Sequence, residues 1–421
     1  MTFIELQKEI AKYLHIEDDG MIRIALASII ATRLKLGDPV WLLLIGPSSS
    51  GKSQILRPLA LTDKKFIHRI DDMTENTLLS GMKVKKGKQE ISVLKRIGSM
   101  GMIVISDFTV IFSKSSEIKT SILSQLRMVY DGEMIKYSGT KSEPIKWAGY
   151  LGILAGSTPS IYTHFEEVAD MGERFIYYRM KPYDIEKATR RSLSRTLLNK
   201  ELDEKLSELY EQYIRESILS IGDQVIPGIS LETYERIVNI AMFASILRTP
   251  THYDRYAKTV DKVPIPEMPM RVALQLSALA RGLSVMHYYN TGSWELDEQD
   301  IGYIEWCAYS LANEERRACL KVLAQLDYGI KVLGQNIADQ IGLATTVTSM
   351  NLQHLAAIGI LERGGGHGGL SWAIKDKNIW SIIRRLEGIK ESVEKEADRN
   401  ISSEETEESK AYADKIFEEN F

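Results

Sequence analysis

The chain has 421 residues, which at roughly 100–200 residues per domain predicts two to four domains. With 44% hydrophobic, 26% charged and 8% aromatic residues it has an ordinary globular composition, which excludes a collagenous, disulfide-framed or wholly disordered chain. The net charge of −4 is uneven: residues 390–421 hold eleven acidic against five basic residues, a net of −6, so residues 1–389 stand at +2 and any nucleic-acid contact must come from local basic patches.

The longest strongly apolar stretch, Val40 to Ile45, is far short of the ~20 residues a membrane helix needs. The N-terminus has no basic segment followed by an apolar one, so no membrane span and a cytoplasmic location are expected. Cys307 and Cys319 lie in helix-like segments without C-x-x-C spacing, as reduced core thiols do. Residues 4–35 carry apolar groups at helical spacing and predict two short helices. The run 39–45 ends in a Gly/Ser-rich turn and reads as a buried parallel strand, with a helix expected from Lys52. Phe66–Ile70, Met102–Ser106, Tyr150–Ala155 and Phe175–Met180 are further candidate strands separated by helix-like stretches. The alternation predicts an α/β fold with a doubly wound parallel sheet over residues 36–182. Two basic stretches, Gly81–Ile91 and Glu133–Trp147, alternate residue types around turn formers as hairpins do. Residues 183–313 become mainly helical, with proline punctuation at Pro227, Pro250 and 263–269. Residues 314–376 predict helices at Arg316–Leu326, Gln335–Ile341 and Thr345–Ile358, then strands Ile360–Arg363 and Leu370–Ile374 around a glycine loop, which is a winged helix. Residues 377–421 read as a helix fading into an acidic, disordered tail.

The strongest motif is Gly46-Pro47-Ser48-Ser49-Ser50-Gly51-Lys52-Ser53, a G-x-x-x-x-G-K-S between an apolar strand and a helix. Such a loop lets backbone N–H groups approach phosphates; with Gln54 following, it predicts an ATP site in which Lys52 reaches the β- and γ-phosphates and the Ser53 hydroxyl holds Mg²⁺. Asp107, at the end of the strand Met102–Ser106, supplies the second group for Mg²⁺. The residue after it is Phe108, where most ATPases of this layout place a glutamate that polarises the attacking water. Asp71 or Asp72 would serve if their strand lay beside the P-loop strand, and Glu117 is a third candidate. Thr158 ends the strand from Tyr150, Arg174 precedes the strand from Phe175, and Arg271 opens a helix.

In this order the motifs resemble the AAA+ ATPases, especially the minichromosome-maintenance-type branch and related ATPases of phages, plasmids and other mobile elements. Ser106-Asp-Phe-Thr109, Tyr130-Asp-Gly132 and Gly172-Glu-Arg-Phe-Ile-Tyr-Tyr178 carry the likeness over about residues 36–311. The resemblance implies a helical lid domain at 183–313. It also implies a sensor role for Thr158, a trans-acting arginine finger at Arg174, a second sensor arginine at Arg271, and a homo-oligomeric ring, expected to be a hexamer. It further implies that the two hairpins grip DNA, expected single-stranded, in the ring channel through Lys83, Lys85, Lys86 and Lys88 and through Lys136 and Lys141; the plainer reading is a solvated lysine-rich edge. The helix Thr345–Ile358 has no lysine or arginine, so its DNA affinity would be weak and protein docking competes with DNA reading; Arg363 and His367 are the wing's phosphate candidates. The expected function is an ATP-dependent DNA motor or remodeller, a replicative helicase or helicase loader of a mobile element. The alternatives are a slowly hydrolysing nucleotide switch and a target selector for transposition.

Overall fold

The computed structural model describes residues 1–80, 92–137, 143–164, 174–182, 184–193, 198–254, 256, 259–366 and 369–389. The chain divides into two compact units, one of Met1–Arg316 with Gln353–Ile358 and one of residues 317–352 with the chain from 359 onward.

The first unit is built on a five-stranded, all-parallel sheet. Its strands are β1 (Trp41–Ile45), β2 (Ile67–Ile70), β3 (Met100–Ile105), β6 (Tyr150–Ser157) and β7 (Ile176–Arg179), in the order β2-β3-β6-β1-β7. The strands β4 (Glu133–Lys136) and β5 (Ile145–Ala148) form a separate antiparallel hairpin. Each residue of β1 is buried, as a strand covered on both faces requires.

Register and side-chain alternation show what covers each face. Gly152 and Gly156 of β6 share one face; a Cβ on Gly152 would meet Thr32 Oγ1 at 2.6 Å, and one on Gly156 would meet Leu56 Cδ1 at 2.8 Å. Thr32 belongs to α2 (Gly20–Leu34) and Leu56 to α3 (Lys52–Leu61), so these helices lie on the glycine face. Trp41 pairs with Ile153 and so faces the other way, into an aromatic core with Tyr130 at 5.1 Å and Phe175 at 5.1 Å. Tyr130 ends α5 (Ser116–Tyr130), which follows the short α4 (Val93–Ile97) in the chain and covers that second face. Helix α2 follows α1 (Phe3–Ala11) and is apolar nearly all round, the pattern of a wholly buried helix. The helix Met270–Thr291 crosses it so closely that a Cβ on Gly282 would lie 2.3 Å from the Ala27 carbonyl oxygen.

The remaining helices of this unit are Ile185–Leu193, Asn199–Leu219, Leu231–Leu247 and Glu298–Tyr309. From Glu314 the elements run helix Glu314–Ala324, strand Val332–Leu333, helices Gly334–Ile341 and Thr345–Ala357, strands Leu361–Gly366 and Gly369–Ile374, and helix Lys377–Leu386. The three strands form one sheet with Gly369–Ile374 in the middle. Both cysteines are buried, and neither forms a disulfide among the described residues. Among the described residues no helix is long and apolar enough to cross a membrane.

Candidate functional site

In a parallel sheet the loops after neighbouring strands open on one edge, and here three of them meet. The Gly46–Gly51 loop leaves β1, Asp107 follows β3, and Thr158 follows β6, which lies between the other two. Gly46 N–H donates to the Ser157 carbonyl at 3.2 Å, which ties the loop to the end of β6. The loop turns through two left-handed residues, Ser49 with φ of 62° and Gly51 with φ of 87°, a region glycine occupies without strain. A Cβ on Gly46 would sit 2.9 Å from Ser50 Oγ, so a side chain there would fill the cradle.

Lys52 is 8% exposed and curls over its own loop, donating from Nζ to Gly46 O at 2.6 Å, Pro47 O at 2.7 Å and Ser50 Oγ at 3.1 Å. All three ammonium donors are thereby engaged. Burial lowers its pKa from the usual lysine value, and the charge of Asp107 pulls the other way, which places that carboxylate within electrostatic reach. Ser53 is exposed in the first turn of α3, and Gln54 is half-buried beside it. A cation-coordinating hydroxyl, a carboxylate and a lysine beside a glycine-bounded loop at a helix N-terminus form the donor set that Mg²⁺ and a polyphosphate require.

Asp107 Oδ1 accepts from Thr109 N–H at 2.9 Å and from the Thr109 hydroxyl, capping a short 3₁₀ helix, Phe108–Ser113. Phe108 is fully buried and its ring lies 4.9 Å from that of Phe175. Position 108 is therefore part of the aromatic core, which explains physically why no glutamate follows Asp107. The sequence reading made Asp71 and Asp72 conditional on their strand flanking the P-loop strand. That condition fails, because β2 is the edge strand beyond β3. Asp71 nevertheless reaches the site's neighbourhood, since it accepts from the hydroxyl of Ser106, adjacent to Asp107, at 2.9 Å. Asp72 pairs with Lys114 at 2.7 Å, and Glu117 is exposed in the first turn of α5. The Thr158 hydroxyl shares a 2.6 Å hydrogen bond with Ser160.

The arginines lie at the opposite edge. Arg174 precedes β7, whose first residue pairs with Leu42 near the start of β1, about 13 Å along the strand from Gly46 at 3.3 Å per residue. It is 6% exposed and binds Asp131 through Nη2 at 3.0 and 2.8 Å. Its guanidinium lies 5.5 Å from the centre of the Tyr130 ring, and that of Arg271 lies 5.8 Å from the same ring. Burial drives the Tyr130 hydroxyl far above its ordinary pKa, with Asp38 acting in the same direction and the two arginines against it. The sequence singled out Tyr130-Asp-Gly132 but assigned it no role. Its signal was an acid-glycine turn, and the structure makes Asp131 the partner of Arg174.

Of the DNA-contact candidates, Lys83, Lys85, Lys86, Lys88 and Lys141 lie outside the described residues. Lys136 donates from Nζ to Glu75 O at 2.7 Å, Asn76 Oδ1 at 2.9 Å and Leu79 O at 3.1 Å, so it staples the hairpin to the loop 75–79. In the helix Thr345–Ala357, Thr348 and Asn351 are buried and bond to the helix's own carbonyls, leaving Thr345 and Thr346 exposed at its start. His367 lies outside the described residues, and Arg363 is exposed on the strand Leu361–Gly366. No family model matches the chain, and no curated protein matches it.

Proposed function

We propose that this protein is an AAA+-type ATPase that acts on DNA as a ring of identical subunits, a motor or remodeller in the replication of a mobile element. One observation carries the reading: the Gly46–Ser53 loop, Asp107 and Thr158 converge on one edge of the sheet, whereas Arg174 and Arg271 flank Tyr130 at the other. A single chain cannot bring both sets to one nucleotide, but head-to-tail packing of copies can, and a closing rotation yields a ring. Exposed apolar side chains around Arg271, among them Ile265, Met268, Met270 and Leu274, support an assembly face there. A hexamer remains the expected state, and the elements from Glu314 onward are read as a winged helix after a helical lid.

Bound ATP with Mg²⁺ supplies the phosphoanhydride bond that is cleaved. Lys52 would exchange its loop carbonyls for phosphate oxygens, Ser53 and Asp107 would hold the cation, and Thr158 would contact the γ-phosphate or the attacking water. Buried Phe108 cannot orient the attacking water, and with β3 and β6 between β2 and β1 the sheet order does not bring Asp71 or Asp72 beside the Gly46–Ser53 loop. Arg174 and Arg271 of a neighbouring copy stabilise charge on the transferred phosphoryl group.

The core position of Phe108 also favours a second reading, a nucleotide-gated switch with slow turnover. Mixed-subunit kinetics test the main proposal. Arg174→Ala is expected to bind ATP without turnover and Lys52→Ala to lose binding, and mixing the two variants restores partial activity because one intact composite site forms between them. Mixed rings without any recovered activity would refute the trans assignment, and tight ATP binding with negligible turnover in the parent protein, with or without DNA, would favour the switch.

A further inference from the structure

We propose that the open edge of β2 carries a second nucleic-acid site, a cleft that grips the phosphates of a single strand through Lys64, Lys65 and Arg96. The cleft has a volume of about 610 Å³, and its charged lining consists of Lys64, Lys65, His68, Arg69 and Arg96, with no carboxylate among the lining residues. Such clustering stands out in a body whose net charge is close to zero. Like charges held together without a counter-charge repel one another and favour an anionic ligand.

The pairing of these groups decides which of them are available. Arg69 donates to Asp71 at 2.9 Å and is neutralised locally. Among the described residues no carboxylate forms an ion pair with Lys64, Lys65 or Arg96, and all three are exposed. Asp63, the nearest acid in sequence, pairs with Arg33 instead. Burial lowers the His68 pKa, and Arg96 adds to this against a backbone bond to Lys65 and the pull of Asp63. His68 Nε2 is buried and has no hydrogen-bond partner.

The shape points to a chain rather than a lone ion. Beyond Arg69 and Arg96 a second hollow of about 370 Å³ adjoins the first, lined by Thr74, Asn76, Thr77 and Ser80 and by two carboxylates, Asp71 and Asp72, which pair with Arg69 and Lys114. The first hollow offers only Ala60 and Ile67 as apolar lining, so its partner is held by charge instead of by buried apolar surface. The cleft belongs to the edge strand and shares no residue with the Gly46–Ser53 loop.

The choice of nucleic acid as occupant rests on the DNA-acting reading, and the test separates the two. Binding of fluorescein-labelled oligothymidylate to the nucleotide-free protein is followed by anisotropy across a salt series, for the parent, for Lys64→Ala/Lys65→Ala/Arg96→Ala and for Lys52→Ala. Three phosphates released from the cleft flatten the salt slope by roughly 2 and weaken binding about 100-fold at 0.1 M salt. ATP binding by the triple variant, measured in parallel, confirms that the ATPase unit is folded. A second variant, Lys64→Glu/Arg96→Glu, is expected to weaken binding further. Parent-like slope and affinity in both variants overturn the cleft, even if Lys52→Ala abolishes ATP binding as the ATPase reading requires. Loss of poly-glutamate binding with unchanged oligothymidylate binding also overturns it, because the same residues would then serve an acidic protein. If the triple variant loses oligothymidylate binding while Lys52→Ala binds ATP normally, the cleft stands and the nucleotide assignment falls.

Discussion

Replacing Gly156 by alanine tests whether the convergence of strand ends is what builds the site. The added Cβ would lie 2.6 Å from the Ser106 carbonyl oxygen and 2.8 Å from Leu56 Cδ1. Leu56 is a flexible side-chain end, but the Ser106 oxygen is backbone, so relief means moving the end of β3 away from β6 by several tenths of an ångström. Overpacking of this kind costs about 1–3 kcal/mol. Asp107 is the next residue after Ser106, so the same shift displaces the proposed Mg²⁺ ligand from the Gly46–Ser53 loop and Thr158. Misplacement on the ångström scale costs on the order of 100-fold in rate. Urea denaturation and steady-state ATP turnover are the assays, with nucleotide binding as the check that the loop survives. Adding Leu56→Ala relieves only the side-chain contact, so the double variant is expected to remain slow. Gly228→Ala, where a Cβ meets nothing within 4 Å, serves as the neutral control. Parent-like stability and turnover in Gly156→Ala would show that the close approach of β3 and β6 does not position Asp107.

Asp107→Ala is expected to keep ATP binding while losing most Mg²⁺-dependent turnover, and unchanged turnover over a magnesium titration refutes its role as a metal group. Asp71→Asn is expected to leave kcat unchanged, because β3 and β6 separate its strand from β1; a large loss of kcat would show that Asp71 reaches the attacking water after all. Lys136→Met strips three hydrogen bonds from the loop 75–79 and is expected to destabilise the first unit by roughly 1–2 kcal/mol. If instead it left stability intact and lowered DNA affinity, Lys136 would act on phosphate and not on the loop.

The sequence by itself determined the elements whose signal is local. The apolar run ending at Ile45 and the glycine-bounded turn after it announce a buried strand and a tight loop, and β1, β3 and β6 fall close to their predicted ranges because a strand buried on both faces has to be apolar throughout. The hairpin at 133–147 and the order of elements after Glu314 were legible for similar reasons, from turn formers between short alternating runs. Only the tertiary structure decided what depends on strand order. Nothing local to Ile67–Ile70 says whether that strand flanks β1 or β3, yet this choice takes Asp71 away from the Gly46–Ser53 loop and hands it to Ser106. Phe108 looked like a missing glutamate until the aromatic core placed it against Phe175. Lys136 looked like a free cation until the loop 75–79 folded onto it. Arg174 and Arg271, nearly a hundred residues apart in the chain, share the Tyr130 ring because the start of the helix Met270–Thr291 packs beside the N-terminal edge of the sheet, where the Gln275 side chain accepts from Trp41 N–H at 3.1 Å. Periodicity records which face of an element is buried, but not which element buries it, and the partners of polar groups are fixed only when strands and helices from distant parts of the chain come together.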